Sequence, residues 1–305
     1  MDIDRMSNGN RDISISFKHV LSAKLSDVAQ LYKVRLGSLV VFSSVIGYML
    51  LSPAWDMLSI FMLSIGGFLV TGASNTFNQI FEKDVDALME RTKDRPLPAG
   101  RMTLVEASLW AGIAAVLGLV ILTVFFNVAT GLLSAISLIV YSFIYTPLKR
   151  VHPIAVFVGA IPGALPPMIG AVAATGFVGD MALNLFALQF VWQFPHFWAI
   201  AWYAYDDYQK AGIMLLPSKG GKNKNSALNI LIYTATLLPM TIVLYLLGYY
   251  QLIALIALVV AAVIFLIPAI KLYRETSDVN ARKVMFASFM YLPVALIGLL
   301  IDSLF

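Results

Sequence analysis

The chain has 305 residues, of which 60% are hydrophobic and only 12% charged, with a net charge of +4 and a mean hydropathy of +0.83. Soluble domains carry about a quarter charged residues, so this composition excludes a water-soluble enzyme and specifies an all-α, polytopic membrane protein. Cysteine is absent, which excludes disulfides, thiolate metal sites and a cysteine nucleophile, and the modest positive charge suits an anionic leaflet or an anionic substrate and says nothing of nucleic acid.

Residues 1–16 are polar, with MSNGNRD near their middle, and are expected to be disordered. No apolar stretch near Met1 reads as a cleavable signal peptide. Residues 17–33, FKHVLSAKLSDVAQLYK, are amphipathic and are expected to lie on the membrane surface, with His19 a surface residue. This divides the chain into an N-terminal segment, 1–33, and a transmembrane domain, 34–305. Apolar windows near 35–52, 57–80, 103–124, 126–146, 153–175, 182–203, 227–248, 251–270 and 284–302 predict nine helices. The very short turn at Phe126-Asn127 makes 126–146 the least defined of them. All Lys and Arg then fall on one side, which the positive-inside rule makes cytoplasmic, with the N-terminus inside and the C-terminus outside. Two long loops, 81–102 and 204–226, each follow the second helix of a four-helix set. This pattern reads as two related halves with a ninth helix added, a repeat that transporters also use.

The stretch Asn75–Gly100, NTFNQIFEKDVDALMERTKDRPLPAG, concentrates the chemistry. Asn78, Glu82 and Asp86 are spaced four apart and form one helical stripe roughly 12 Å long, with Asn75 a turn earlier and Asp84 facing elsewhere. Oxygen ligands in a row at a membrane surface are what Mg²⁺ takes, together with substrate phosphate oxygens and water. Arg91, Lys93 and Arg95 follow, with Arg101 beyond, and guanidinium groups pair with phosphate in two-pronged geometry. Acid stripe and basic cluster together read as a metal-diphosphate site, against the plainer reading of a solvated loop kept soluble by mixed charge.

The remaining polar features are fewer. Tyr145 and Lys149 stand a turn apart at the end of the fourth helix, loosened by Pro147; an ordinary helix end with topology anchors is the competing reading. The fifth helix carries Pro162, Pro166 and Pro167 among glycines, which fits close packing or a kinked wall beside a pocket. The sixth carries Gln193 and His196 deep in an apolar span, where a polar side chain needs a partner; packing by hydrogen bonds and proton handling are both open. Asp206 and Asp207 mark its polar end. Lys271, Arg274 and Asp302 read as solvated or interfacial residues.

The pattern at Asn78, Glu82 and Asp86 resembles the first aspartate-rich motif, N-x-x-x-D-x-x-x-D, of the UbiA superfamily of intramembrane prenyltransferases, with Glu82 in place of an aspartate. The longer run MERTKDRPLPAG, and WQFPHF in the sixth helix, resemble the protohaem IX farnesyltransferase (haem O synthase) branch. The resemblance implies a bundle around a central cavity in the cell inner membrane, farnesyl diphosphate and haem B as substrates, and Mg²⁺ as cofactor. It implies Asn78, Glu82 and Asp86 as metal ligands and Arg91, Arg95 and Lys149 as catalytic cations. Tyr145 with Lys149 resembles a diphosphate-contacting Y-x-x-x-K element. It further implies that Asn75, Gln193 and His196 orient haem or assist proton transfer. Asp207 is what remains of a second D-x-x-x-D cluster, since Tyr203 and Ala211 flank it at four residues. Haem A synthase or terminal oxidase assembly is an implied partner. The alternatives are a prenyltransferase for an aromatic quinone precursor and a secondary transporter for an anion.

Overall fold

The computed structural model describes residues 21–218 and 220–305. The polar segment 1–16, the start of the amphipathic stretch with His19, and Lys219 lie outside the described residues. A helical segment, α1 (21–32), precedes nine long helices. These are α2 (Val34–Leu51), α3 (Met57–Asp86), α4 (Leu104–Ile121), α5 (Val128–Ile139), α7 (Ala155–Thr175), α8 (Asp180–Tyr203), α10 (Lys224–Leu246), α11 (Leu252–Arg274) and α12 (Asp278–Asp302). A single turn, α6 (Thr146–Leu148), and a short helix, α9 (Tyr205–Lys210), complete the described elements. Eight of the nine long helices are apolar enough to cross a membrane; the ninth, α8, is the one that carries Gln189, Gln193 and His196.

Local sequence sets the helix starts. Asp56 caps α3 by accepting from Leu58 and Ser59 amides, Thr103 and Glu106 form a reciprocal cap on α4, and Asn223 and Ser277 cap α10 and α12. The short turn between α4 and α5 is resolved by a single extended residue. Asn127 closes a π-helical end, Leu122–Phe126, and caps α5 through the Thr130 amide. Asp302, the last residue of α12, is not left to solvent. It is 3% exposed, and its carboxylate accepts from the Gln251 and Ala254 amides at 2.6 and 3.0 Å, so α12 supplies the cap that the start of α11 lacks.

The central helix is α7, 78% buried against 22–39% for the other seven candidate spans. One apolar core joins α7, α8, α10, α11 and α12; a second joins α1 to α5. The two meet where α2 crosses α7 on glycine: a Cβ on Gly170 would lie 1.7 Å from Ser44 O, and one on Gly47 would lie 2.0 Å from Pro167 O. The prolines leave α7 continuous. Pro166 and Pro167 have no N–H for the carbonyls of Pro162 and Gly163, and those carbonyls accept instead from Ser137 Oγ at 3.3 Å and Gln189 Nε2 at 2.7 Å. Side chains of neighbouring helices thus satisfy the backbone that proline frees.

The amphipathic α1 is tied to the loop after α3. Arg101 Nε donates to Asp27 Oδ1 at 2.8 Å, Lys24 pairs with Glu106 at 2.9 Å, and Gln79 Nε2 donates to Leu31 O at 2.7 Å. Arg101 therefore anchors α1 and does not join the acid stripe, contrary to its reading as part of the phosphate-binding cluster.

Replacing Gly170 with Ala is expected to lower stability by about 1–3 kcal/mol, because backbone on both sides has to move. Thermal melts in detergent check this, with Gly112→Ala, whose Cβ meets no atom within 4 Å, leaving the midpoint unchanged or slightly raised.

Candidate active site

Helix α3 runs 30 residues, past the apolar part of its sequence, and so carries its acid stripe into the protein rather than into water. Asn78, Glu82 and Asp86 are only 2, 3 and 1% exposed, whereas Asp84 faces outward. Buried carboxylates demand partners. Lys149 Nζ lies 2.6 Å from Glu82 Oε1, and Arg95 Nη1 lies 2.6 Å from Asp86 Oδ2. Asn78 Nδ2 donates to Glu82 Oε2 at 2.9 Å and to Thr146 Oγ1 at 3.2 Å. Asp86 Oδ1 has no hydrogen-bond partner among the described residues.

Lys149 reaches Glu82 because the end of α5 is wound as a π-helix, Val140–Tyr145, that runs into the α6 turn containing Pro147. Tyr145 packs its ring on Gly159, where a Cβ would approach it to 2.6 Å, and lies 5.6 Å from Lys149 Nζ; Tyr141 follows at 5.5 Å. This brings the Tyr145–Lys149 pair to the acid stripe.

A further cation belongs to the cluster. Lys33, at the α1–α2 junction, donates from Nζ to Asn78 Oδ1 at 3.2 Å. Its φ of +50° makes it the only non-glycine residue in the left-handed region among the described residues, a conformation that costs of order 1 kcal/mol or more and persists where the surroundings enforce it. Burial, then Arg95 and Lys149, push its amine down to about 7 against the opposing pull of Glu82 and Asp86. In the sequence Lys33 counts only as a topology charge; its place at the hinge between amphipathic and apolar segments is the signal available to find it.

Arg91 and Asp207 meet each other, away from the stripe. The Arg91 amide donates to Asp207 Oδ2 at 3.4 Å, and its guanidinium stands over Tyr208 at 5.6 Å. Burial opposes the charge of Asp207, but the Arg91 amide and Lys210 outweigh it and hold the carboxyl below its usual range. The two long loops are thereby latched across the polar end. Lys93 pairs with Glu90 instead of facing the site.

Beneath the cluster lies an apolar cavity of about 270 Å³, walled by α2, α3, α5, α7, α8 and α12. Asn75, one turn before Asn78 on α3, and Tyr141, beside Tyr145, line it together with Trp192, Gln193, His196 and Phe289. Asn75 Nδ2 is held by Tyr32 O at 3.2 Å and Gln193 Nε2 by Ala160 O at 3.0 Å. His196 stacks on Trp192 with ring centres 4.6 Å apart. The arrangement can bind an anion at one end, seat an apolar chain below it and exclude water from both.

Such a bundle, with its charged cluster roofing an apolar cavity, is that of an intramembrane transferase. The family model described as "UbiA prenyltransferase family" matches residues 40–292. The chain is 46% identical over 277 residues to a protein of Cytophaga hutchinsonii named protoheme IX farnesyltransferase, covering 90% of this chain and 97% of that one. It is 45% identical to one of the same name from Christiangramia forsetii, covering 92% and 94%. Solved neighbours share the fold: a digeranylgeranylglyceryl phosphate synthase structure at TM-score 0.76 and 21% identity, over 92% of this chain and 99% of that one. A UbiA homologue from Archaeoglobus fulgidus bound to GPP and Mg²⁺ follows at 0.66 and 14%, over 90% and 99%. The chain belongs to the UbiA prenyltransferase family and, within it, to the protoheme IX farnesyltransferases.

Removing Lys149 leaves Glu82 as an unpaired buried carboxylate. Lys149→Met is expected to cost ~3 kcal/mol of stability in metal-free buffer, and adding Glu82→Gln is expected to recover most of it without restoring turnover. Melting curves of the two variants in EDTA check the pairing.

Proposed function

We propose that the protein transfers farnesyl from farnesyl diphosphate to a vinyl group of protohaem IX (haem B), releasing diphosphate and giving haem O once water has added. The observation that carries this reading is the buried set of two carboxylates and three cations, Glu82, Asp86, Lys33, Arg95 and Lys149, at the head of an apolar cavity. The names of the relatives supply the acceptor. A transporter would be expected to carry its charges at mid-membrane, and an aromatic acceptor remains as an outcome of the test below.

The residues present fit Mg²⁺. No cluster of three acidic or histidine ligands exists among the described residues, and Mg²⁺ bound with a phosphate substrate uses only one or two carboxylates. Asn78, Glu82 and Asp86 would hold it, the last through its unpartnered Oδ1. When bound, Mg²⁺ neutralises charge on the diphosphate. The hard step is breaking the allylic C–O bond, and it needs no nucleophilic side chain. Arg95, Lys149 and Lys33 stabilise the negative charge growing on the leaving group; until an anion arrives, their pairing with the α3 side chains keeps the buried charge balanced. Tyr145 backs Lys149. Arg91 and Asp207 hold the two loops over the site. The apolar walls shield the allylic cation, and Asn75, Gln193 and His196 face the acceptor.

The same reading places the protein in the cell inner membrane with its basic loops, and hence the diphosphate site, on the cytoplasmic side. Haem O is too apolar to cross water freely, so handover to haem A synthase or terminal oxidase assembly within the bilayer completes the proposal.

Expression in cells that make haem B and farnesyl diphosphate is expected to yield a haem heavier by a hydroxyethylfarnesyl group in the mass spectrum of extracted pigments. Asp86→Asn, or excess EDTA in vitro, is expected to remove most turnover while the protein stays folded, the variant melting somewhat lower because Arg95 loses its partner; undiminished turnover in either case rejects the metal-diphosphate assignment, and a prenylated aromatic acid in place of haem O moves the acceptor. Orientation is read separately. The chain has no native cysteine, so Ser218→Cys in sealed vesicles is expected to react with an impermeant maleimide only from the cytoplasmic face.

A further inference from the structure

Ser288 of α12 stands behind the cavity wall and touches the imidazole that lines it. His196 Nδ1 lies 2.8 Å from Ser288 Oγ, and the same Oγ lies 2.6 Å from Met285 O. A carbonyl oxygen only accepts, so the single hydroxyl proton of Ser288 is directed to Met285. Ser288 Oγ then offers only lone pairs to the ring, and Nδ1 carries the imidazole proton. The reverse assignment would turn the hydroxyl proton to Nδ1 and leave two oxygens facing each other through lone pairs at 2.6 Å. The ring plane is also held from its other sides. Trp192 stacks on it at 18° between planes, Phe289 meets its edge with centres 5.1 Å apart, and Trp192 Nε1 donates to Ser288 O at 3.0 Å. Nε2 is left without a hydrogen-bond partner among the described residues, on a side chain that lines the cavity.

We infer that Ser288 is a positioning residue for the transfer: by fixing His196 in its Nδ1–H form, it leaves Nε2 as the base for the water that completes the product. The inference rests on the farnesyl diphosphate and haem B reading of the cavity. In that reaction the C1–O bond of farnesyl diphosphate breaks, with its electron pair leaving on the diphosphate. C1 bonds to the outer carbon of the vinyl group, which leaves a cation on the inner carbon. A water oxygen bonds to that carbon, and one water proton passes to Nε2. The product gains one farnesyl and one hydroxyl group, and the released proton balances the displaced diphosphate. A tautomer with the proton on Nε2 would offer that water a donor where it needs an acceptor.

The test uses the full chain in nanodiscs with Mg²⁺, haem B and farnesyl diphosphate. Histidine-labelled ¹⁵N NMR reads which ring nitrogen is protonated, and His196 is assigned by removing His19 and His152, the other two histidines. The proton is expected on Nδ1 in the wild type, with Ser288→Ala shifting it to Nε2 or to a mixture. Ser288→Ala is expected to lower kcat for haem O about 10- to 100-fold, a fraction of what general base catalysis contributes. KM for farnesyl diphosphate should stay unchanged, and Ser288→Thr should recover most of the loss. A wild-type proton on Nε2 in an enzyme that makes haem O overturns the inference alone. So does a Ser288→Ala enzyme with wild-type kcat, or a loss that tracks melting temperature and is not recovered by Ser288→Thr. Wild-type protein that makes no haem O overturns the substrate reading, and this inference with it.

Discussion

Ionised carboxylates in an apolar bundle impose a constraint that the rest of the polar end obeys. The desolvation cost of Glu82 and Asp86 is several kcal/mol each unless opposite charge and hydrogen bonds answer it, and the fold assembles those answers from three separate stretches of chain. Lys149 arrives on the π-wound end of α5, Arg95 on the loop after α3, and Lys33 on a left-handed hinge between α1 and α2. Each of these backbone irregularities aims a cation at α3. Because removing any one partner would strand a charge, the site is a single electrostatic unit rather than a set of independent ligands.

A second constraint governs the cavity. An apolar hollow beside a helix with three prolines would expose backbone carbonyls to lipid-like surroundings, where nothing else can bond them. Ser137 and Gln189 take the carbonyls freed by Pro166 and Pro167, and Gln193 takes the Ala160 carbonyl. Gly163 is required for this arrangement, since a Cβ there would lie 2.0 Å from Gln193 Oε1. The polar residues of α8 thus do structural work with their amide groups while their helix presents His196 to the cavity. The packing reading of that helix is carried by its glutamine amides, and the role of the imidazole is the one proposed above.

What the sequence makes legible follows the same physics. Hydropathy locates eight of the nine long helices among the described residues because a bilayer sets their length, and spacing by four locates Asn78, Glu82 and Asp86 because neighbours on one helix face need no tertiary knowledge. Pairings across the chain are another matter. His196 and Ser288 are 92 positions apart, Lys33 and Asn78 are 45, and Arg91 and Asp207 are 116. No local pattern announces such contacts. The same limit hides the partners of Arg101 and Asp302: Asp27 in one case and the α11 amides in the other come alongside only in the folded chain.

On the proposed reading the two ends of the cavity divide the reaction between them. Leaving-group chemistry falls to α3, the end of α5 and the α1–α2 hinge, within or joined to the core of α1 to α5. Acceptor chemistry falls to α8 and α12, within the core they share with α7, α10 and α11. The cores touch through the glycine crossing of α2 and α7, a contact of backbone on backbone that leaves little freedom to slide. That rigidity matters chemically. An allylic cation has to meet its acceptor before it meets water, and a reaction of that kind gains more from fixed alignment of two half-sites than from tighter binding at either.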